Sequence, residues 1–412
     1  MVQKFKIPWA AWYEDTELQL EFPDTWDVNI YKMQDTTEVS QEDIKNAFSN
    51  PIGTSTIQEI AKGKSNAVIA VEDISRPIQA ENILEIVLKQ LNMAGITNDN
   101  ITLIYALGAH RPMNRQDSIK KVGLKIIDKI KIENHHPYEN LVYIGESYKA
   151  TPIYLNKTYY NAEVKIAIGS VIPHPLAGYG GGAKVILPGL SGIQTLEANH
   201  EAGVRGIGIG LGFITELRKD IEDTCKKAGL DFSINIIPTM KRKIGGIFVG
   251  DFIKAHRKAI DLAKKVYSTN LPSDLNLDIG FFNLYPEDTE LSQALKGLNF
   301  FLKSKRFIKR EGAIVILTAA SEGRGFHSLL GETGGKLYKN WGDTIIFKGI
   351  LKKKNFCIFS QNINRKDVLH FYPDSTIFHT NFQDLVHDLE KIYGKNPKIG
   401  IFPSSNQLPK ER

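Results

Sequence analysis

His110, His174, Lys184 and His200 are the residues of this chain best suited to chemistry. An imidazole can take up or release a proton near neutral pH, so two histidines can serve as acid and base on opposite faces of one substrate. A lysine amine can carry a covalently attached group. Lys184 lies in HPLAGYGGGAKVILPG, His174–Gly189, which holds five glycines and two prolines. Residues so small leave room for something bulky beside the backbone. Asp73 and Arg76 occur in EDISRP, and His110 and Arg111 in GAHRP. An arginine offers a bidentate seat for a carboxylate or phosphate. Three histidines could instead bind a metal, but the lysine would then be unexplained. These residue types point to a cofactor-dependent acid/base enzyme working on an anionic substrate.

Each residue also has a plainer reading. A loop histidine is ordinarily a satisfied surface group, and Asp73 with Arg76 could be a helix cap beside an exposed ion pair. The glycine cluster could be an anion-binding turn or a tight backbone crossing. It is not a Walker motif, because Ala183 precedes the lysine and Val185 follows it. GIGIGLG, Gly206–Gly212, lacks the spacing of a dinucleotide fingerprint.

The elements that must position these residues alternate between strand and helix. NAVIAVED, ITLIYALG, KIKIEN, LVYIGE and VKIAIGS read as strands. IQAENILEIVLKQLNMAG, the stretch near Asn114–Val122, SGIQTLEANHEAG with Ser191 as N-cap, and Gly250–Tyr267 read as helices. After a polar, turn-rich segment at 268–276 the alternation restarts with LDIGFFN, EDTELSQALKGLNFFLKS (a helix), AIVILTAA, NFCIFS, NFQDLVHDLEKIYG and KIGIFPSS. This pattern predicts an α/β fold: two α/β domains with largely parallel sheets flanked by helices. The expected boundaries are 1–267 for an N-terminal domain, 268–276 for a linker and 277–400 for a C-terminal domain. The tail, 401–412, is expected to pack back on the N-terminal domain. Asp73, His110, His174 and the glycine run all follow strand ends, where sites of doubly wound sheets collect, with His200 one helix later.

Composition agrees with a globular enzyme. The chain has 412 residues, too many for one ordinary core, with 42% apolar and 24% charged residues. A net charge of +6 and a basic run, LKKKN, between apolar segments argue against a nucleic-acid partner. Cys225 and Cys357 form no CxxC or zinc spacing and fit a reducing cytoplasm. The N-terminus is a poor signal peptide, and no apolar run approaches the length of a bilayer span. A cytoplasmic protein with no membrane partner is expected.

The ordered set EDISRP, GAHRP, HPLAGYGGGAK, EANH and YPEDTELSQALKG resembles the lactate racemase family of nickel-pincer enzymes. That resemblance implies an isomerase, a racemase or epimerase of a small-molecule 2-hydroxy acid. Its implied cofactor is nickel held by a pyridinium-3,5-bisthiocarboxylic acid mononucleotide, attached covalently at Lys184 and made by separate cofactor-synthesis proteins. The glycines would then clear space for the planar ring. The resemblance assigns His200 to nickel, His110 and His174 to acid/base duty, and Asp73, Ile74, Ser75 and Arg76 to the cofactor mononucleotide. Arg76, Gln293 and Lys296 would contact substrate, with the active site in the interdomain cleft. Three pincer donors and one imidazole suit square-planar nickel(II). The implied reaction takes hydride from the substrate to the pincer ring and returns it on the other face. Ser292 stands where the family tends to have tyrosine and Asn114 where threonine is common, and the expected second-domain tryptophan is sought near Trp341. These departures leave room for a larger acid than lactate. The alternatives are a nicotinamide-type oxidoreductase of 2-hydroxy acids and a non-catalytic anion-binding α/β protein.

Overall fold

Ala67–Glu72 reads AVIAVE, and every one of its side chains is buried. A strand buried on both faces belongs in the middle of a parallel sheet. In the computed structural model it sits in a six-stranded sheet whose order is Ile244–Gly250, Phe232–Pro238, Val164–Ser170, Ala67–Glu72, Ile101–Ala106, Lys131–Asn134. All neighbours are parallel except the first pair, which is antiparallel. The structure describes residues 1–14, 16–206, 212–304, 307–329, 351 and 353–410, with the backbone alone at 202–206. Trp341, residues 207–211 of GIGIGLG and Lys352 of LKKKN lie outside the described residues.

The chain adds strands on one side of Ala67–Glu72 and then on the other. The switch point therefore lies between Ala67–Glu72 and Val164–Ser170, where the carboxyl ends of such strands leave a crevice. Helices cover the sheet by their apolar stripes. Glu81–Met93 buries Ile83, Leu84, Val87, Leu88 and Leu91. Arg115–Val122 starts on a capping box between Asn114 and Asp117, so Asn114 serves the helix end. The helix expected around Ser191 runs Ile193–Gly206, and Ser191 does not face it: its hydroxyl donates backward to Ile186 O at 2.9 Å.

The second sheet is parallel throughout, in the order Ile377–His379, Asn355–Phe359, Ile308–Leu317, Leu277–Asn283, Lys398–Phe402, Asp27–Ile30. Its last strand corrects the expected domain limits. The chain divides into Asp35–Val266 and a unit made of Met1–Gln34 with Tyr267–Arg412. The first 34 residues thus group with the late part of the chain, against the expectation of one N-terminal domain over 1–267. The reason is burial. The hairpin Val2–Trp9/Thr16–Pro23 packs Ile7, Trp9, Leu20 and Phe22 with Trp26 against Phe281, Val315, Phe359, Phe382 and Leu385. The expected linker contains Ser268–Thr269, which pairs with Leu408–Pro409, and the expected limit at 400 cuts through strand Lys398–Phe402. The tail also reaches the early residues, with Gln407 Nε2 donating to Tyr31 O at 2.7 Å, all within this one unit.

Candidate active site

The first loop at the switch point is Asp73–Arg76, directly after Ala67–Glu72. Asp73 is buried, and its Oδ1 accepts from Ser75 N at 2.8 Å and Ser75 Oγ at 2.5 Å. Its Oδ2 lies 2.5 Å from His110 Nδ1, and Ser75 Oγ lies 3.1 Å from the same nitrogen. Burial alone would raise the Asp73 carboxyl. His110, through charge and hydrogen bond, then Arg76 and Ser75, outweigh burial and hold it far below the usual carboxylate range. In the neutral ring, ionised Asp73 holds the His110 proton on Nδ1, and the lone pair then lies on Nε2. Asp73 therefore orients the His110 ring, a duty the sequence did not signal. Ile74 is buried in the core, and Arg76 N donates to Asp73 O at 3.2 Å.

Behind this loop, Glu72 Oε2 accepts from Ser170 N at 2.7 Å and Ser170 Oγ at 2.8 Å, joining the ends of the two strands that flank the switch point. Lys121, with no exposed surface, places Nζ 3.5 Å from Glu72 Oε1 and donates to Arg76 O at 3.1 Å. Burial pulls its amine down to about 8 against the opposing charges of Glu72 and Asp73. Lys121 thus clamps the backbone of the Arg76 loop from inside, a role invisible in a lysine on a helix pattern. Arg111, beside His110, instead gives NH1 to Asp117 Oδ2 at 2.6 Å and serves the following helix.

His174 follows strand Val164–Ser170 in a short antiparallel pair, Pro173–His174 with Gly178–Tyr179. Its Nδ1 accepts from Leu176 N at 3.2 Å and Ala177 N at 3.1 Å. Two backbone donors on Nδ1 leave the neutral ring's proton on Nε2. His110 and His174 therefore hold opposite tautomers.

Lys184 lies on the 3-10 turn Gly182–Val185, and its N–H donates to Gly181 O at 3.2 Å. His200, on helix Ile193–Gly206, gives Nδ1–H to Leu196 O at 2.8 Å and keeps Nε2 as an electron-pair donor. Burial, opposed by that bond and reinforced by the charges of Lys184 and His110, lowers its imidazole to about 4. His110, Lys184 and His200 are thus close enough to interact, and the ring of His200 is neutral at pH 7. Among the described residues no group of three or more His, Cys, Asp or Glu is placed to hold a metal. A metal at His200 would take its other donors from a bound organic group.

Two of the glycines around Lys184 fit the tight backbone crossing. A Cβ on Gly180 would lie 2.6 Å from Ser170 O, and one on Gly189 would lie 2.1 Å from Val185 O. These two face their own chain at close approach, so their smallness serves packing of the loop.

Gln293 and Lys296 belong to the other unit, on the 3-10 segment Leu291–Leu298, which continues as helix Asn299–Ser304; the sequence had suggested one helix beginning earlier. Gln293 Nε2 donates to Glu290 Oε1 at 3.0 Å, and Ser292 Oγ donates to the same oxygen at 2.5 Å. Lys296 Nζ lies 2.5 Å from Oε1 of buried Glu287. Sequence reasoning named the cation and missed both carboxylates.

The family model of the lactate racemase N-terminal domain matches residues 13–208. A lactate racemase of Lactiplantibacillus plantarum is 30% identical over 299 residues, which are 70% of this chain and 69% of that protein. A lactate racemase of Thermoanaerobacterium thermosaccharolyticum is 29% identical over 294 residues, 70% of this chain and 68% of that one. Among solved structures, the lactate racemase apoprotein from T. thermosaccharolyticum superposes with a TM-score of 0.78 at 23% identity, covering 99% of this chain and 100% of that chain. A protein from Thermotoga maritima superposes with a TM-score of 0.60 at 17% identity, over 86% and 97%. At these identities the two superpositions speak for the fold.

Proposed function

This chain belongs to the lactate racemase family and is an enzyme of the isomerase class, and from that premise we propose that it racemises or epimerises a 2-hydroxy acid with a nickel-pincer cofactor carried on Lys184. The observation that carries the reading is the grouping of the Asp73–His110 pair with Lys184 and His200 at the switch point of one sheet. The residues fit the implied cofactor. His200 offers a neutral Nε2 whose ring is oriented by a backbone carbonyl, the arrangement a metal-binding histidine needs. Lys184 supplies the amine. When bound, the pincer would supply a carbon centre that takes up and returns hydride, which avoids removing a barely acidic Cα proton.

The protein's residues then have separate duties. Arg76 seats an anionic group, substrate carboxylate or cofactor phosphate, and Asp73, Ile74 and Ser75 form the rest of the cofactor-facing loop. His110, with Nδ1 committed to Asp73, accepts the substrate hydroxyl proton at Nε2. His174 holds a proton at Nε2 for the carbonyl oxygen when the other face is presented. In the reverse direction the two exchange duties. Lys296 and Gln293 complete the substrate contacts, and Ser292 in place of a larger residue admits acids larger than lactate. The two cysteines are unpaired and buried, which suits the cytoplasm. Among the described residues no helix is long and apolar enough to cross a membrane.

The test is production of the chain together with a pincer-making pathway, followed by intact-mass and nickel analysis and a screen of enantiopure 2-hydroxy acids. The reading requires added mass on the peptide containing Lys184, nickel that falls in His200→Ala, and loss of optical purity in at least one acid. Racemisation at full rate by Lys184→Ala would remove covalent attachment as a requirement.

A further inference from the structure

The loop that leads into Lys184 is gripped from behind by side chains that the proposed chemistry does not use. Three consecutive carbonyls, those of Tyr179, Gly180 and Gly181, accept from Arg218 NH1 at 3.2 Å, His256 Nε2 at 2.8 Å and Arg218 NH2 at 3.1 Å. The next N–H, that of Gly182, donates to Asn235 Oδ1 at 2.8 Å. Gly181 O is also the acceptor of the Lys184 N–H, so the guanidinium and the lysine backbone share one oxygen. Gly181 and Gly182 take φ values of 71° and 54°, positive angles that favour glycine.

Arg218 and His256 are both wholly buried. Burying a guanidinium is costly unless it is paired, and Glu222 pairs it at 2.9 Å from Nε while also taking both NH groups of Arg257 at 2.8 and 2.7 Å. Arg257 NH1 lies 3.1 Å from His256 Nδ1, while His256 Nε2 lies 2.8 Å from Gly180 O and 3.0 Å from Arg218 NH2; the tautomer with its proton on Nε2 donates to Gly180 O. A Cβ on Gly182 would approach Arg218 NH2 to 2.9 Å and His256 Cδ2 to 3.2 Å, so the grip is close.

We propose that Arg218 and His256 are positioning residues for Lys184, holding carbonyls 179–181 so that the turn presents the lysine amine in one orientation for attachment. The inference rests on Lys184 being the attachment residue, but its test uses the cofactor-free chain.

The experiment compares acetylation of Lys184 by an N-hydroxysuccinimide ester, read by peptide mass and normalised to exposed Lys4, in wild type, His256→Leu, His256→Gln and Arg218→Lys. A loop released from its grip exposes the amine. His256→Leu should raise relative labelling by about threefold or more, and His256→Gln, which keeps a donor for Gly180 O, should stay within about twofold of wild type. Arg218→Lys should behave like His256→Leu, because one ammonium cannot serve two carbonyls along a planar fork. Unchanged labelling in folded His256→Leu and Arg218→Lys overturns the proposal, as does equal labelling in the Leu and Gln variants. Should the variants not fold, amide exchange in wild type decides: the Lys184 amide should exchange as slowly as those of Val164–Ser170, and fast exchange there refutes the grip. Whether Lys184 carries a cofactor is read separately, by the intact mass of the loaded protein.

Discussion

Asp73 Oδ2 and His110 Nδ1 are 2.5 Å apart, and this contact sets which nitrogen carries the proton when the His110 ring is neutral. The pair joins loops after two adjacent parallel strands, Ala67–Glu72 and Ile101–Ala106. Replacing the carboxylate by an amide keeps the shape and removes the charge. Asp73→Asn should therefore lower kcat by about 10²–10⁴-fold with little change in Tm. An Asp73→Asn enzyme as fast as wild type would mean that Asp73 has no part in orienting His110.

The opposite tautomers of the two histidines can be seen directly. In ¹⁵N-histidine-labelled, cofactor-free protein, His110 should show a protonated Nδ1 and His174 a protonated Nε2. The same tautomer at both positions would contradict the assignment of one ring as acceptor and the other as donor.

Lys296 lies 2.5 Å from Glu287, so a substrate carboxylate at the proposed contact would share this cation with a protein one. Glu287→Gln should lower KM for 2-hydroxy acids, because the amide competes less for the ammonium. Lys296→Met should raise KM and also destabilise the fold by on the order of 3 kcal/mol, since buried Glu287 loses a charge partner. KM values that ignore both changes would take Lys296 out of substrate binding.

Acid should weaken the chain at a residue remote from catalysis. His135 is buried and its Nε2 lies 3.0 Å from Ser191 O. Burial, partly opposed by that bond, lowers its imidazole to about 4. Its folded pKa is below the unfolded value, so the unfolded chain binds more protons between those two pKa values. Stability then falls as pH drops from about 6.5 to about 4, by up to about 3 kcal/mol for this group. Urea midpoints at about pH 7.5 and about pH 4.5 should differ less in His135→Gln than in wild type. An equal acid loss in both would show that His135 is not titrating in this window.

The residues on strand-end loops were legible because alternation of apolar strands and amphipathic helices fixes where such loops fall. Asp73, His110, His174 and the Lys184 turn could be placed this way before any coordinates. Their partners could not. Asp73 and His110 are 37 positions apart, and nothing in EDISRP distinguishes a carboxylate that grips a histidine from one that caps a helix. Lys121, Arg218 and His256 lie on the helices Arg115–Val122, Glu216–Ala228 and Lys254–Val266, where no local signal tells a buried polar side chain from a solvated one, and all three are buried. The glycines carried two readings for a related reason: room for a ligand and close approach of the chain's own backbone require the same missing Cβ, and at Gly180 it is Ser170 O that occupies the space. The N-terminal hairpin could not be assigned to its unit, because Asp27–Ile30 finds its partner strand at Lys398–Phe402, a pairing no local signal encodes.

The two-faced use of His110 and His174 is tested most directly by single-turnover formation of 2-keto acid from each pure enantiomer, with cofactor-loaded His110→Ala and His174→Ala. Each variant should fail to oxidise a different enantiomer and retain one oxidation of the other, while neither racemises. If both lose the same enantiomer, or if either still racemises near the wild-type rate, the two histidines do not serve opposite faces of one substrate.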